Sequence, residues 1–182
     1  LSKDEHERVR RSTALNSSTP KEALQELSKD PFEKVKEGVA HNPNTPKDVL
    51  EELSKDGSGW VREGVAQNPN TPLETLKKLN DDRSLKGKVA SNPNLPLIML
   101  KELSNDESLH VRTDVAENPN TPLEILQKLS KDEDPTPRCG VANNPNTPAN
   151  ILEELSNDES EYVRENVVKN PNTSLETLKR LS

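Results

Sequence analysis

The pentapeptide Asn-Pro-Asn-Thr-Pro stands at residues 42–46 and returns at 68–72, 118–122 and 144–148. Variants occupy 92–96, with Leu95 in place of Thr, and 170–174, with Ser174 in place of the last Pro; a worn copy stands at 16–20. The period is 26 residues, with one unit of 24. A fixed period of this size means stacked supersecondary units, none of which buries its apolar face alone. The units are 1–26, 27–52, 53–78, 79–102, 103–128, 129–154 and 155–180, with 181–182 beginning another. One repeat domain over 1–182 is expected. The chain starts at Leu1, without a methionine, which suggests a trimmed or mature fragment.

Each unit reads Leu-Ser-x-Asp, a linker, Val-Arg-x-x-Val-Ala-x, the Asn-Pro-Asn-Thr-Pro turn, and a Leu-rich segment. Val61 and Val65, or Val111 and Val115, give the i, i+4 step of a first helix. It must end near Asn68, because a residue before proline avoids the α region. In Thr71-Pro72-Leu73-Glu74 the threonine is placed to cap a second helix, with proline at its first position and glutamate closing a capping box. Leu73, Leu76 and Leu79 then form its apolar face, as do Leu97, Leu100, Leu103 and Leu123, Leu126, Leu129. A step of three suits an α-helix and a 3₁₀ helix equally. In the short unit the two missing residues fall between Asp82 and Leu85, which predicts a shortened linker beside intact helices. Leu95, Leu97, Ile98 and Met99 crowd apolar side chains there, as a thicker core or as a patch for a partner.

Helices of roughly ten residues do not persist alone in water, so stability must come from repeat stacking. That reconciles folding with a composition in which Leu, Val, Ile and Phe are only about 22% of the chain, near the disordered range. The expected class is all-α, a solenoid of seven two-helix repeats with no β-sheet.

The Val-Arg-x-x-Val-Ala-x-Asn-Pro-Asn-Thr-Pro blocks, such as Val61 to Pro72 and Val111 to Pro122, resemble the leucine-rich repeat variant family along essentially the whole chain. That resemblance implies alternating α and 3₁₀ helices in a right-handed superhelix related in build to HEAT and armadillo repeats. A founding member of the family carries a cysteine-ligated iron–sulfur module. Cys139 is the single cysteine here, so no cofactor or redox role carries over.

Three polar columns recur. A basic one comprises Arg10, Lys36, Arg62, Lys86, Arg112, Arg138 and Arg164. An acidic one upstream comprises Asp4, Asp30, Asp56, Asp82, Asp106, Asp132 and Asp158. HEAT-like repeats have a similar Asp-to-Arg spacing, so the two columns are expected to form a structural ladder; aligned cations could alternatively track a nucleic-acid backbone. Asn42, Asn68, Asn118, Asn144 and Asn170, with Asn16 and Asn92, stand where an amide can satisfy orphan groups at a helix end. Small residues at Ser12, Gly38, Gly64 and Gly140 point to close approach of the next repeat. The position before each first-helix valine is irregular. It holds Trp60, His110 and Tyr162 in alternate repeats, and amphipathic rings on a surface are favoured anchors at interfaces.

Nothing supports catalysis. His6, His41 and His110 occupy three different repeat positions without metal-ligand spacing, and no phosphate loop or nucleophile motif occurs. The chain is read as a non-enzyme with no metal or cofactor. A net charge of −7, carried entirely by repeats five to seven, argues against phosphate binding and favours a basic protein partner. The expected function is a binding scaffold for protein partners. The alternatives are a nucleic-acid-binding HEAT-like protein and a structural spacer of a larger protein. No apolar run approaches a membrane span, and a cytoplasmic location is expected.

Overall fold

The computed structural model describes residues 2–182. Fourteen α-helices and no strand occur among the described residues. They fall into two compact units, 1–94 and 95–182. The first unit holds α1 (Glu7–Leu15), α2 (Lys21–Leu27), α3 (Glu33–His41), α4 (Lys47–Leu53), α5 (Gly59–Gln67), α6 (Leu73–Asn80) and α7 (Lys86–Ala90). The second holds α8 (Leu97–Leu103), α9 (Leu109–Glu117), α10 (Leu123–Leu129), α11 (Pro135–Asn143), α12 (Ala149–Leu155), α13 (Glu161–Lys169) and α14 (Leu175–Leu181).

In both units the first helices of successive repeats lie directly against one another, as α1 on α3 on α5, and α9 on α11 on α13. Within each unit second helices pack against the flanking first helices, as α4 does against α3 and α5, and α10 against α9 and α11. Small residues make the tight layer possible. A Cβ built on Gly64 would lie 2.9 Å from the Ala40 Cβ and 2.8 Å from His41 Nδ1; one on Gly140 would lie 2.9 Å from the Ala116 Cβ. Close packing, rather than a groove, accounts for these glycines.

The core repeats with the chain. Val61, Val65 and Ala66 of α5 are fully buried, as are their counterparts Val35, Val39 and Ala40 of α3. In the second helices the buried set differs from the expected triplet. Thr75, Leu76 and Leu79 are buried while Leu73 is exposed; Ile125, Leu126 and Leu129 are buried while Leu123 is half exposed. The steps are i, i+1, i+4, which fit 3.6 residues per turn and not three. The second helices are accordingly α-helical, and no 3₁₀ helix occurs among the described residues. Bonds of the i→i+3 kind occur at helix ends, as from Thr75 N to Pro72 O at 3.0 Å, and in the turns, as from Thr71 N to Asn68 O at 3.1 Å.

The expected capping box is also replaced. Proline sits at the N-cap itself, in extended conformation, so there is no cap N–H for Glu74 to receive. Thr71 instead turns back and donates to Val65 O at 2.5 Å, closing the end of α5. Thr45, Thr121 and Thr147 do the same to Val39, Val115 and Val141. Only α14 has a side-chain cap among the second helices. There Ser174 replaces proline and accepts from Thr177 N at 3.1 Å.

The two-residue deletion in the fourth repeat costs helix as well as linker. α7 has 5 residues where α5 has 9. Leu85 lies in a turn closed by its own N–H to Asp82 O at 2.9 Å, yet remains buried with Val89. The short connection cannot supply the extra helical turn and still bring Leu85 to the core. Of the crowded apolar residues nearby, Leu95 and Met99 are buried, and Leu97 and Ile98 are exposed.

Candidate interaction surface

The recurring polar columns turn inward to the joints between repeats. Asn68 donates from Nδ2 to Ala40 O at 2.7 Å and to Asn42 O at 2.8 Å in the preceding repeat, and its Oδ1 accepts from Asn70 N. Asn42, Asn144 and Asn170 repeat this pattern, all three buried. Asn92 bonds Ala66 O and Asn68 O in the same way, and Asn118 is buried at the equivalent position. The amides of Asn42, Asn68, Asn92, Asn144 and Asn170 thus each join two carbonyls left over at the end of the previous first helix, a need set by helix geometry.

The guanidinium column is equally occupied. Arg112 Nη1 donates to Asp106 O at 2.9 Å within its own repeat, whereas Nε and Nη2 grip the Asp132 carboxylate of the next repeat at 2.7 and 2.9 Å. Arg138 holds Asp158 likewise, with side chains only 9% and 8% exposed. Arg10 binds Asp30, and Lys36 binds Asp56. Arg62 keeps the carbonyl bonds to Asp56 and Gly57, with its carboxylate partner Asp82 3.6 Å away. Arg164 bonds the carbonyls of Asp158 and Glu159. The carboxylate partner of Arg10, Arg62, Arg112 and Arg138 is therefore the aspartate of the following repeat, not the one upstream. Burial pushes the Asp132 and Asp158 carboxyls up. The hydrogen bonds from Arg112 and Arg138, the N–H groups of Asp134 and Ser160, and the guanidinium charges outweigh it and hold both below the ordinary value.

Sequence spacing misses a second amide column. Asn94, Asn146 and Asn172 donate to the carbonyls of Pro69, Pro119 and Pro145 at 2.6, 2.7 and 2.7 Å. Asn44 and Asn70 bond Ser17 and Pro43 in the same way. The second Asn, present in six of the seven pentapeptides, was its signal, but its acceptor lies about one repeat away.

With these columns occupied, the irregular position ahead of the first-helix valines faces outward. Trp60, at the second position of α5, is 64% exposed, and Tyr162, at the same place on α13, is 65% exposed. His110 is exposed at the corresponding position of α9. Trp60 lies in the first unit and the other two in the second, where Thr136 of α11 holds the place between them. The thiol of Cys139 is pushed up by burial, the opposite of what a nucleophile needs. No helix among the described residues is long and apolar enough to cross a membrane.

A periodic stack of short helix pairs, joined by side-chain ladders, defines an α-helical repeat protein of the solenoid type. The model of the leucine rich repeat variant family matches residues 59–84, one full repeat length beginning at α5. A solved structure described as a leucine-rich repeat variant with a novel repetitive protein structural motif is similar at 28% identity and a TM-score of 0.56. The similarity covers 91% of this chain and 66% of that one, so the chain spans somewhat under two thirds of that structure's length. A search of curated proteins finds no match. The chain is similar to the leucine-rich repeat variant family over one repeat and shares a helical repeat fold with the solved member of that description.

Proposed function

We propose that this chain is a non-catalytic scaffold that binds protein partners through its exposed helix surfaces. The observation that carries this reading is the occupancy of the ladders. Cations that in sequence could have tracked a phosphate backbone are engaged by carboxylates and carbonyls at the repeat joints. The outward-facing residues include a non-repeating set, Trp60, His110 and Tyr162, of the kind that anchors protein interfaces. The acidic excess of repeats five to seven favours a basic partner there, steered by charge.

The test is affinity capture with the intact chain, run beside Trp60→Ala and Tyr162→Ala variants, with parallel titration of DNA and RNA. Capture of a protein that weakens in one of the variants supports the reading. Tight, salt-sensitive nucleic-acid binding with no protein captured overturns it.

A further inference from the structure

Neighbouring second helices are joined in most repeats by complementary side chains in a fixed register. The residue that follows the recurrent Leu-Ser pair is joined to the sixth residue of the next second helix. Lys3 meets Glu26 at 3.0 Å. Lys128 reaches Asn105 Oδ1 and Ser104 O, each at 2.7 Å. Arg180 bonds Asn157 and Ser156. The equivalent sequence positions hold Lys29 and Glu52, and Lys131 and Glu154. A second pair of positions lies one step further along the groove, where Lys101 meets Glu124 at 3.2 Å and Gln25 meets Asp48 at 3.5 Å.

The joint between α4 and α6 breaks both pairings together. Its residues are Lys55 with Lys78 in the first register, and Glu51 with Glu74 in the second. These four side chains line one cleft of about 280 Å³, floored by Thr75 and Leu79. Among the described residues no side-chain hydrogen bond or ion pair joins α4 to α6; Glu74 is held by Lys77 of its own helix at 2.8 Å. Like charges set across a groove repel, and a partner that inserts the opposite charge relieves each pair. The two lysines call for a carboxylate and the two glutamates for a cation, about one helical turn apart.

We propose that the α4–α6 cleft is a docking site for a protein segment carrying an acid and a base one helical turn apart. The acid lies between Lys55 and Lys78, and the base between Glu51 and Glu74. This rests on the scaffold reading and names the chemistry of one element of its partner. Such exposed pairs contribute little affinity each, so the site confers register and selectivity more than tightness.

The experiment titrates the ¹⁵N-labelled chain with an alanine-based helical peptide bearing Glu and Lys at i, i+4, beside the same peptide with both replaced by glutamine. Variants are Lys55→Asn and Glu51→Lys, which install pairings the chain already uses at Asn105–Lys128 and Lys101–Glu124. Lys34→Asn, on α3, controls for net charge. The expected result is shift changes confined to residues 51–55 and 74–79, with affinity falling about five-fold in both cleft variants and unchanged in Lys34→Asn. Equal binding of the glutamine peptide, scattered shifts, or full affinity in the cleft variants overturns the site. If affinity capture also yields a protein that depends on Trp60 or Tyr162, the site alone has failed; if it yields none, the scaffold reading falls as well.

Discussion

Arg112 commits all three guanidinium nitrogens to the joint between repeats five and six, one to carbonyls of its own repeat and two to Asp132 of the next. Arg112→Ala leaves Asp132, 8% exposed, without its counter-charge. A loss of about 2 kcal/mol is expected, and thermal melting will show it; a ligand stripe would instead leave the melt unchanged. Asn144→Ala removes two donors from the carbonyls of Ala116 and Asn118 and an acceptor from Asn146 N. With the site buried, a cost of about 2–3 kcal/mol is expected, measured by denaturant unfolding. The ladder also sets the acid response. The Asp30, Asp56, Asp132 and Asp158 carboxyls are held below the ordinary value in the folded chain. A depressed folded value contributes stability that is present above the unfolded pKa of about 3.9 and is lost as pH falls through the folded value. The melting temperature should thus hold from neutral pH to about 4 and drop below it. Asp132→Asn with Asp158→Asn should flatten that drop, and an unchanged slope would count against the ladder as its source.

At the scale of the helix, α5 and α7 show how much order depends on two linker residues. α5 begins two residues before Val61, whereas α7 begins one residue after Leu85, its positional equivalent. A five-residue helix has barely one intrahelical turn to protect it. Amides of Lys86–Ala90 are therefore expected to exchange hydrogen about ten-fold faster than those of Gly59–Gln67, and equal protection would refute this. Packing between first helices is the other constraint. Gly140→Ala gains helix propensity but drives a Cβ to 2.9 Å from Ala116 and 3.1 Å from Thr113 O. Because one of those neighbours is backbone, a net loss of about 1–3 kcal/mol is expected in thermal or denaturant melts.

For the molecule as a whole, charge is the property that acts at a distance. Repeats five to seven carry the net −7, so a basic partner recruited by them should bind less tightly as salt rises. Capture that is equally efficient at low and high salt would remove electrostatic recruitment from the account. Stability, by contrast, should behave as a sum over repeats and joints, which makes variants at different joints, such as Arg112→Ala between repeats five and six and Asn68→Ala between repeats two and three, separable in effect.

The sequence alone determined the period, the two helices of each repeat, the end of α5 before Asn68, and the columns of Asn, Arg and Asp. These follow from local rules: apolar spacing, proline's exclusion of the α region, and recurrence itself. It also placed Trp60, His110 and Tyr162 at one equivalent position. Tertiary structure decided the partners. Arg112 pairs with Asp132 rather than Asp106, and Thr71 closes α5 rather than opening α6, because acceptors in the next repeat or the previous helix are nearer than those suggested by linear spacing. It also decided that Thr75, and not Leu73, enters the core, since a helix turning 3.6 residues per turn rotates the first leucine out to solvent. The like-charged cleft of α4 and α6 was beyond linear reading for the same reason. Lys55 and Lys78 become neighbours only when one repeat is laid on the next.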